Sequence, residues 1–112
     1  FARLQSIVGR GVAMEMVATA RQYSSQEALA AGFVNRVAPV TDLENAVRDI
    51  VAMIVTNAPL SIVAAKLSSR AAIDPLMEVE AQQAIDICFD SEDFREGRTA
   101  FRERRLPAFK GR

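Results

Sequence analysis

With 112 residues, half of them apolar, the chain is long enough for one compact unit with a modest core and gives no reason to expect two. Its fourteen basic and fourteen acidic residues cancel, so net charge points to no nucleic acid or other polyanion as a partner. The absence of histidine and the presence of one cysteine, Cys88, exclude His-based triads, Cys–His pairs, ordinary zinc sites and an internal disulfide.

In chain order, Phe1 opens the sequence at the edge of an apolar run, Leu4, Ile7 and Val8, with no leading cap, which reads as a cut into a longer protein. Gly9-Arg10-Gly11 predicts a break between two helical pieces rather than a phosphate loop, because a third glycine and a preceding strand are both missing. Ser24 and Glu27 have capping-box spacing, so a short helix is expected there, closed by Gly32. Phe33, Val34 and Val37 then read as a brief strand stopped by Pro39. Thr41 with Glu44 repeats the box ahead of a helix whose apolar stripe is Leu43, Val47, Ile50, Val51 and Ile54.

Asn57-Ala58-Pro59 ends that helix and opens the next, striped with Leu60, Val63, Ala64, Leu67 and Ala71. Asp74-Pro75 caps another, with Leu76, Val79, Ile85, Cys88 and Phe89 on its apolar side, and Cys88 fits a packed thiol in a reducing compartment. Asp90-Ser91-Glu92-Asp93 puts acids at the positive end of a last helix, which Pro107 stops. The fold class predicted is therefore mostly α with one or two short strands. No apolar run is long enough to span a bilayer.

No catalytic constellation is legible in this chain, and no metal site. Glu78 and Glu80 point to different sides of a helix, Asp90, Glu92, Asp93 and Glu96 fit a cap and a solvated face, and Glu15 suits either a buried pair or an exposed charge. The basic end is the better candidate. Arg102, Arg104 and Arg105 beside Phe101 and Phe109 combine cations with flat apolar surfaces, suited to a phosphorylated, ring-bearing ligand. The same arginines equally suit the negative end of a helix.

Together these segments resemble the C-terminal part of the crotonase superfamily, the enoyl-CoA hydratase/isomerase proteins. The resemblance rests on Val8-Gly9-Arg10-Gly11 with Ala13-Met14-Glu15-Met16, on Ser24-Ser25-Gln26-Glu27-Ala28-Leu29 running into Gly32-Phe33-Val34-Asn35-Arg36-Val37, and on Asn57-Ala58-Pro59 with Ala65-Lys66. It continues through Ser91-Glu92-Asp93-Phe94-Arg95-Glu96-Gly97, Ala100-Phe101, Arg105, Pro107, Phe109 and Lys110-Gly111-Arg112. It implies an α/β parent of ββα spiral type, with residues 1–39 ending the spiral core and 40–112 forming a helical region for trimerisation and for covering coenzyme A.

By the same resemblance the intact parent is a cytoplasmic lyase of fatty acid metabolism, a homo-oligomer (trimer or hexamer) with no nucleic acid or membrane partner. It acts on acyl-CoA thioesters and holds no permanently bound cofactor. Two backbone amides stabilise an enolate and two glutamates activate water, all of them expected before Phe1, so this chain alone is expected to be inactive. The coenzyme A contacts implied are Phe101 with the adenine, Arg104 with the phosphates and Ile85 where a hydratase often has a phenylalanine, while Lys66 reads as a solvent-facing structural residue. The alternative is a non-catalytic helical self-association module.

Overall fold

A computed structural model describes all of residues 1–112. It holds six α-helices, α1 (Ala2–Thr19), α2 (Ser25–Ala30), α3 (Leu43–Val55), α4 (Pro59–Ala71), α5 (Glu78–Asp90) and α6 (Glu92–Glu103), with single 3-10 turns ahead of α3 and α5 and no strand. The chain divides into two compact units, Phe1–Ala46 and Val47–Arg112, where length alone suggested one. No single helix is long and apolar enough to cross a membrane.

In the first unit, α1 is kinked at Gly9 (φ 79, ψ 162), as the paired glycines predict, and ends on Ala20, whose N–H donates to the Met16 carbonyl. The link to α2 is held by one guanidinium. Arg21 donates to Glu15 Oε1 at 3.1 Å and to Glu27 Oε1 at 2.8 Å, and lies 3.6 Å over the Tyr23 ring, while the Tyr23 hydroxyl also donates to Glu15. The capping box of α2 forms as expected: Ser24 Oγ accepts the Glu27 N–H, and Glu27 Oε2 accepts the Ser24 N–H at 2.9 Å.

The Ser24 backbone N–H, its hydroxyl and then Arg21 hold the Glu27 carboxyl down at about 2. Because the folded value lies below the ordinary carboxylate value of 4.5, this contribution is fully present above that value and is lost as pH falls toward 2. Glu27→Gln is therefore expected to make the acid loss of helical circular dichroism shallower between those limits. Superimposable acid transitions would show that the box does not link folding to protons.

The strand expected over Phe33–Val37 does not form. Gly32 takes φ 72 at the end of α2, and the N–H groups of Phe33 and Val34 both turn back to the Ala28 carbonyl while that of Gly32 reaches Leu29. Two amides are thereby committed to closing the helix. No second strand exists in the chain to pair with the rest. The next helical turn begins at Val40, and α3 itself at Leu43, two residues beyond the expected cap at Thr41.

In the second unit Pro59 occupies the first turn of α4, and Asp74 accepts the Leu76 N–H at 3.1 Å ahead of α5. α4 packs on α5, and α5 on α6. The residue that α4 buries is Ala64 and the one that α5 buries is Ala81; Ser61 Oγ lies 3.3 Å from the half-buried Cys88 sulfur.

The striped faces read from the sequence form, but they are not a core. Every buried apolar residue is an alanine (Ala13, Ala64, Ala81, Ala100), no large side chain is fully buried, and Val47, Val51, Ile54, Val63, Val79 and Phe89 are exposed. The chain presents 8901 Å² to solvent. Its two units, taken as separate compact bodies, would present about 7,300 Å². Large apolar side chains on α3, α4 and α5 are among the exposed surface.

Candidate functional site

The cations and aromatic rings singled out in the sequence lie on α6 and on the segment after it. Ser91 starts that helix: its Oγ accepts the Phe94 N–H at 3.0 Å and donates to the Cys88 carbonyl at 2.6 Å, joining the end of α5 to α6. Asp93 follows, only 3 % exposed. Its two carboxylate oxygens accept the N–H groups of Lys110 and Gly111, each at 2.7 Å, and its own N–H donates to the Arg112 carbonyl at 3.1 Å. The end of the chain is thus folded back along α6.

One turn on, Glu96 accepts both terminal nitrogens of Arg105, at 2.5 and 2.8 Å, and the Ala108 N–H at 2.9 Å. Glu103 takes the Arg105 Nε at 2.7 Å. Arg105, then the Ala108 amide, hold the Glu96 carboxyl down at about 2, and the two carboxylates push the Arg105 guanidinium up from its ordinary value. Gly97 faces the fold-back: a Cβ there would sit in ordinary van der Waals contact with the Phe109 ring, at 3.5 Å. Sequence reasoning assigned Asp93 and Glu96 to a cap and a solvated face, and missed that both grip the tail.

Helix α6 ends on Arg104, in the left-handed region at φ 53, with the Arg105 N–H turned back to the Ala100 carbonyl and that of Arg104 to Phe101. This is the same closure that Gly32 makes for α2, here built on an arginine. An L side chain pays about 1–2 kcal/mol for that conformation.

The rings gather beside it. Ala58, Ser61, Asp93, Phe94, Gly97, Arg98, Phe101 and Phe109 border a groove of about 300 Å³. Phe89 meets Phe94 edge to face at 5.0 Å, and the Arg98 guanidinium lies 5.9 Å from the Phe94 centroid. Phe101 is 86 % exposed, a bare aromatic side chain on the groove's border. No three acidic or cysteine side chains converge as a metal-ligand set.

All of residues 1–112 match the family described as enoyl-CoA hydratase/isomerase. The chain belongs to that family. It is 38 % identical to a short-chain-enoyl-CoA hydratase of Clostridium acetobutylicum and 36 % identical to a carnitinyl-CoA dehydratase of Salmonella typhi, in each case over 98 % of this chain and 44 % and 45 % of the relative. The solved enoyl-CoA hydratase of Mycobacterium tuberculosis superposes on it with a TM-score of 0.82 at 29 % identity, over 99 % of this chain and 45 % of that one. The chain therefore spans under half the length of these relatives, and its helices are the helical C-terminal part of the crotonase fold.

Within this family member the candidate residues fall in separate places. Phe101 borders the aromatic groove together with Phe109, as the sequence suggested, and with Phe94, Gly97 and Arg98, which it did not. Arg104 sits exposed at the end of α6, Ile85 is half-buried on α5 and Lys66 is exposed on α4; none of the three borders the groove. Arg105, grouped with the ligand-facing arginines on sequence grounds, is committed to Glu96 and Glu103. The spacing Glu96 to Arg105 gave no hint of this pair, because it forms only when the chain reverses after Arg104.

Proposed function

We propose that this chain is the C-terminal portion of an enzyme that hydrates 2-enoyl-CoA thioesters. In that reaction the water oxygen bonds to the β-carbon as the double bond shifts its electrons toward the thioester carbonyl, and the resulting enolate takes a proton at the α-carbon. Two backbone amides stabilise the enolate oxygen and two glutamates handle the water, all on polypeptide preceding Phe1. No residue of this chain is catalytic. The parent works in the cytoplasm as a homo-trimer or paired trimers, with the bare apolar helix faces covered by its own spiral core and by neighbouring copies.

The observation that carries this reading is the match of the whole chain to a hydratase family, joined to helices that bury no large side chain completely. In this reading Phe101 stacks on the adenine of coenzyme A, Arg104 meets its phosphates and Ile85 packs nearby. Arg104 holds its charge at the exposed end of α6 in a backbone conformation that favours glycine. The direct test is loss of the conjugated-thioester absorbance when the intact protein meets a short 2-enoyl-CoA; no loss at any substrate concentration overturns the hydratase assignment.

Arg104→Gly separates ligand contact from helix ending. The glycine relieves the left-handed strain, so stability is expected to rise by about 0.5–1 kcal/mol. Coenzyme A affinity is expected to fall several-fold, and further at low salt than at high salt, because exposed charges are screened. A stabler variant with unchanged affinity would return Arg104 to a purely structural position.

A further inference from the structure

Beyond Arg105 the chain has no helix or strand of its own, so a side chain there is fixed only by what the segment rests on. Phe109 lies in that stretch, half-buried, with its ring facing Gly97 of α6 and forming part of the aromatic groove. Both of its neighbours are pinned. The Ala108 N–H donates to Glu96 at 2.9 Å, and the Lys110 N–H donates to Asp93 at 2.7 Å. Glu96 is one turn on from Asp93 and Gly97 follows it, so all three share a face of α6. The backbone of Phe109 is thus tied down on either side, directly above the glycine that its ring faces.

The two ties are not equivalent. Asp93 borders the groove, so a change there alters the wall itself. Glu96 is half-buried outside the groove and reaches the ring only through the Ala108 amide. Its carboxylate is in turn held by both terminal nitrogens of Arg105, whose Nε is taken by Glu103. A carboxylate gripped by a planar fork has little freedom to swing away from the amide it accepts.

We infer that Glu96, locked by Arg105, is a positioning residue that pins the backbone beside Phe109 and so holds its ring as a fixed wall of the groove before a ligand enters. A wall already ordered spares the binding step the cost of ordering it. The role deepens the proposed function, on which it rests, by giving a side chain outside the groove a part in binding the thioester.

The test compares the intact protein with its Glu96→Gln, Phe109→Leu and double variants. Steady-state kinetics are measured on a short 2-enoyl-CoA and on the matching N-acetylcysteamine thioester, which carries no nucleotide. Glutamine keeps the helix propensity but sets an amide donor against Arg105, and circular dichroism checks that the fold is retained. Glu96→Gln is expected to raise KM for the coenzyme A thioester about three- to tenfold with kcat unchanged, the loss of one ordered side chain at a binding surface. Turnover of the nucleotide-free thioester is expected to stay as it was. Added to Phe109→Leu, the same change is expected to do nothing more, because a residue that acts through a ring has no effect once the ring is gone.

An equal loss on both thioesters, no change on either, or effects of the two substitutions that add in full overturns the positioning role and leaves the hydratase reading standing. If the unaltered protein turns over neither thioester, the hydratase reading fails, and the Phe109 ring resonance, assigned by its disappearance in Phe109→Leu, judges the role instead. A resonance that shifts in Glu96→Gln supports it, and superimposable spectra remove it.

Discussion

Asp93→Ala is expected to free the last residues of the chain from α6 and to lower stability by about 2–4 kcal/mol, because two charge-assisted hydrogen bonds to a buried carboxylate are lost together. The loss stays below the full strength of two such bonds, since the released amides of Lys110 and Gly111 regain water. Asp93→Asn tests the geometry. An amide offers one acceptor in place of two and sets an N–H donor against the second backbone N–H, so it is expected to recover less than half of the loss. Urea unfolding gives the stability change, and hydrogen exchange at the Lys110 and Gly111 amides reports the tail directly. Unchanged exchange at those two amides in Asp93→Ala would mean that the tail is held by something other than this carboxylate.

Such a clasp bears on the candidate site through Gly97 and Phe109. The fold-back seats the Phe109 ring on α6 within van der Waals reach of where a Cβ on Gly97 would be, and that ring is one wall of the aromatic groove. Asp93, itself part of the groove lining, and Glu96 therefore organise the groove by holding the tail.

Local chemistry was the legible part of the sequence. The capping box of Ser24 and Glu27, the glycine closing α2, the break at Gly9, the proline opening α4 and the Asp74 cap are each decided by residues within one turn of one another, and all form where expected. What depends on a distant partner was not legible. Phe33 and Val34 have strand-like side chains but no second strand to pair with, so their amides close a helix instead. The side-chain contacts of Asp93 and Glu96 join residues up to eighteen apart, and acids at a helix start look alike whether they face water or grip a returning chain. Periodicity located the apolar stripes correctly, yet it cannot say whether anything lies against them; most large side chains of α3 stay exposed and Ile50 is only half-buried, while alanines elsewhere are buried.

The exposed stripe of α3 makes the most severe prediction. Val51 is 49 % exposed in the middle of that helix, flanked along the same face by Val47 and Ile54. If these 112 residues were the whole working unit, Val51→Asp would place a charge in water and cost only about 0.5 kcal/mol in helix propensity. If the stripe is covered by the spiral core or a neighbouring copy, as the proposed function requires, the same change buries an unpaired carboxylate and costs roughly 3–5 kcal/mol. The expected result is accordingly split: little change in the helicity of the 112-residue chain, but loss of assembly by sedimentation velocity and of thioester activity in the intact protein. An intact protein that tolerates the aspartate with its mass and activity unchanged would show that this face meets only solvent, and with it the assembly half of the proposed function would fall.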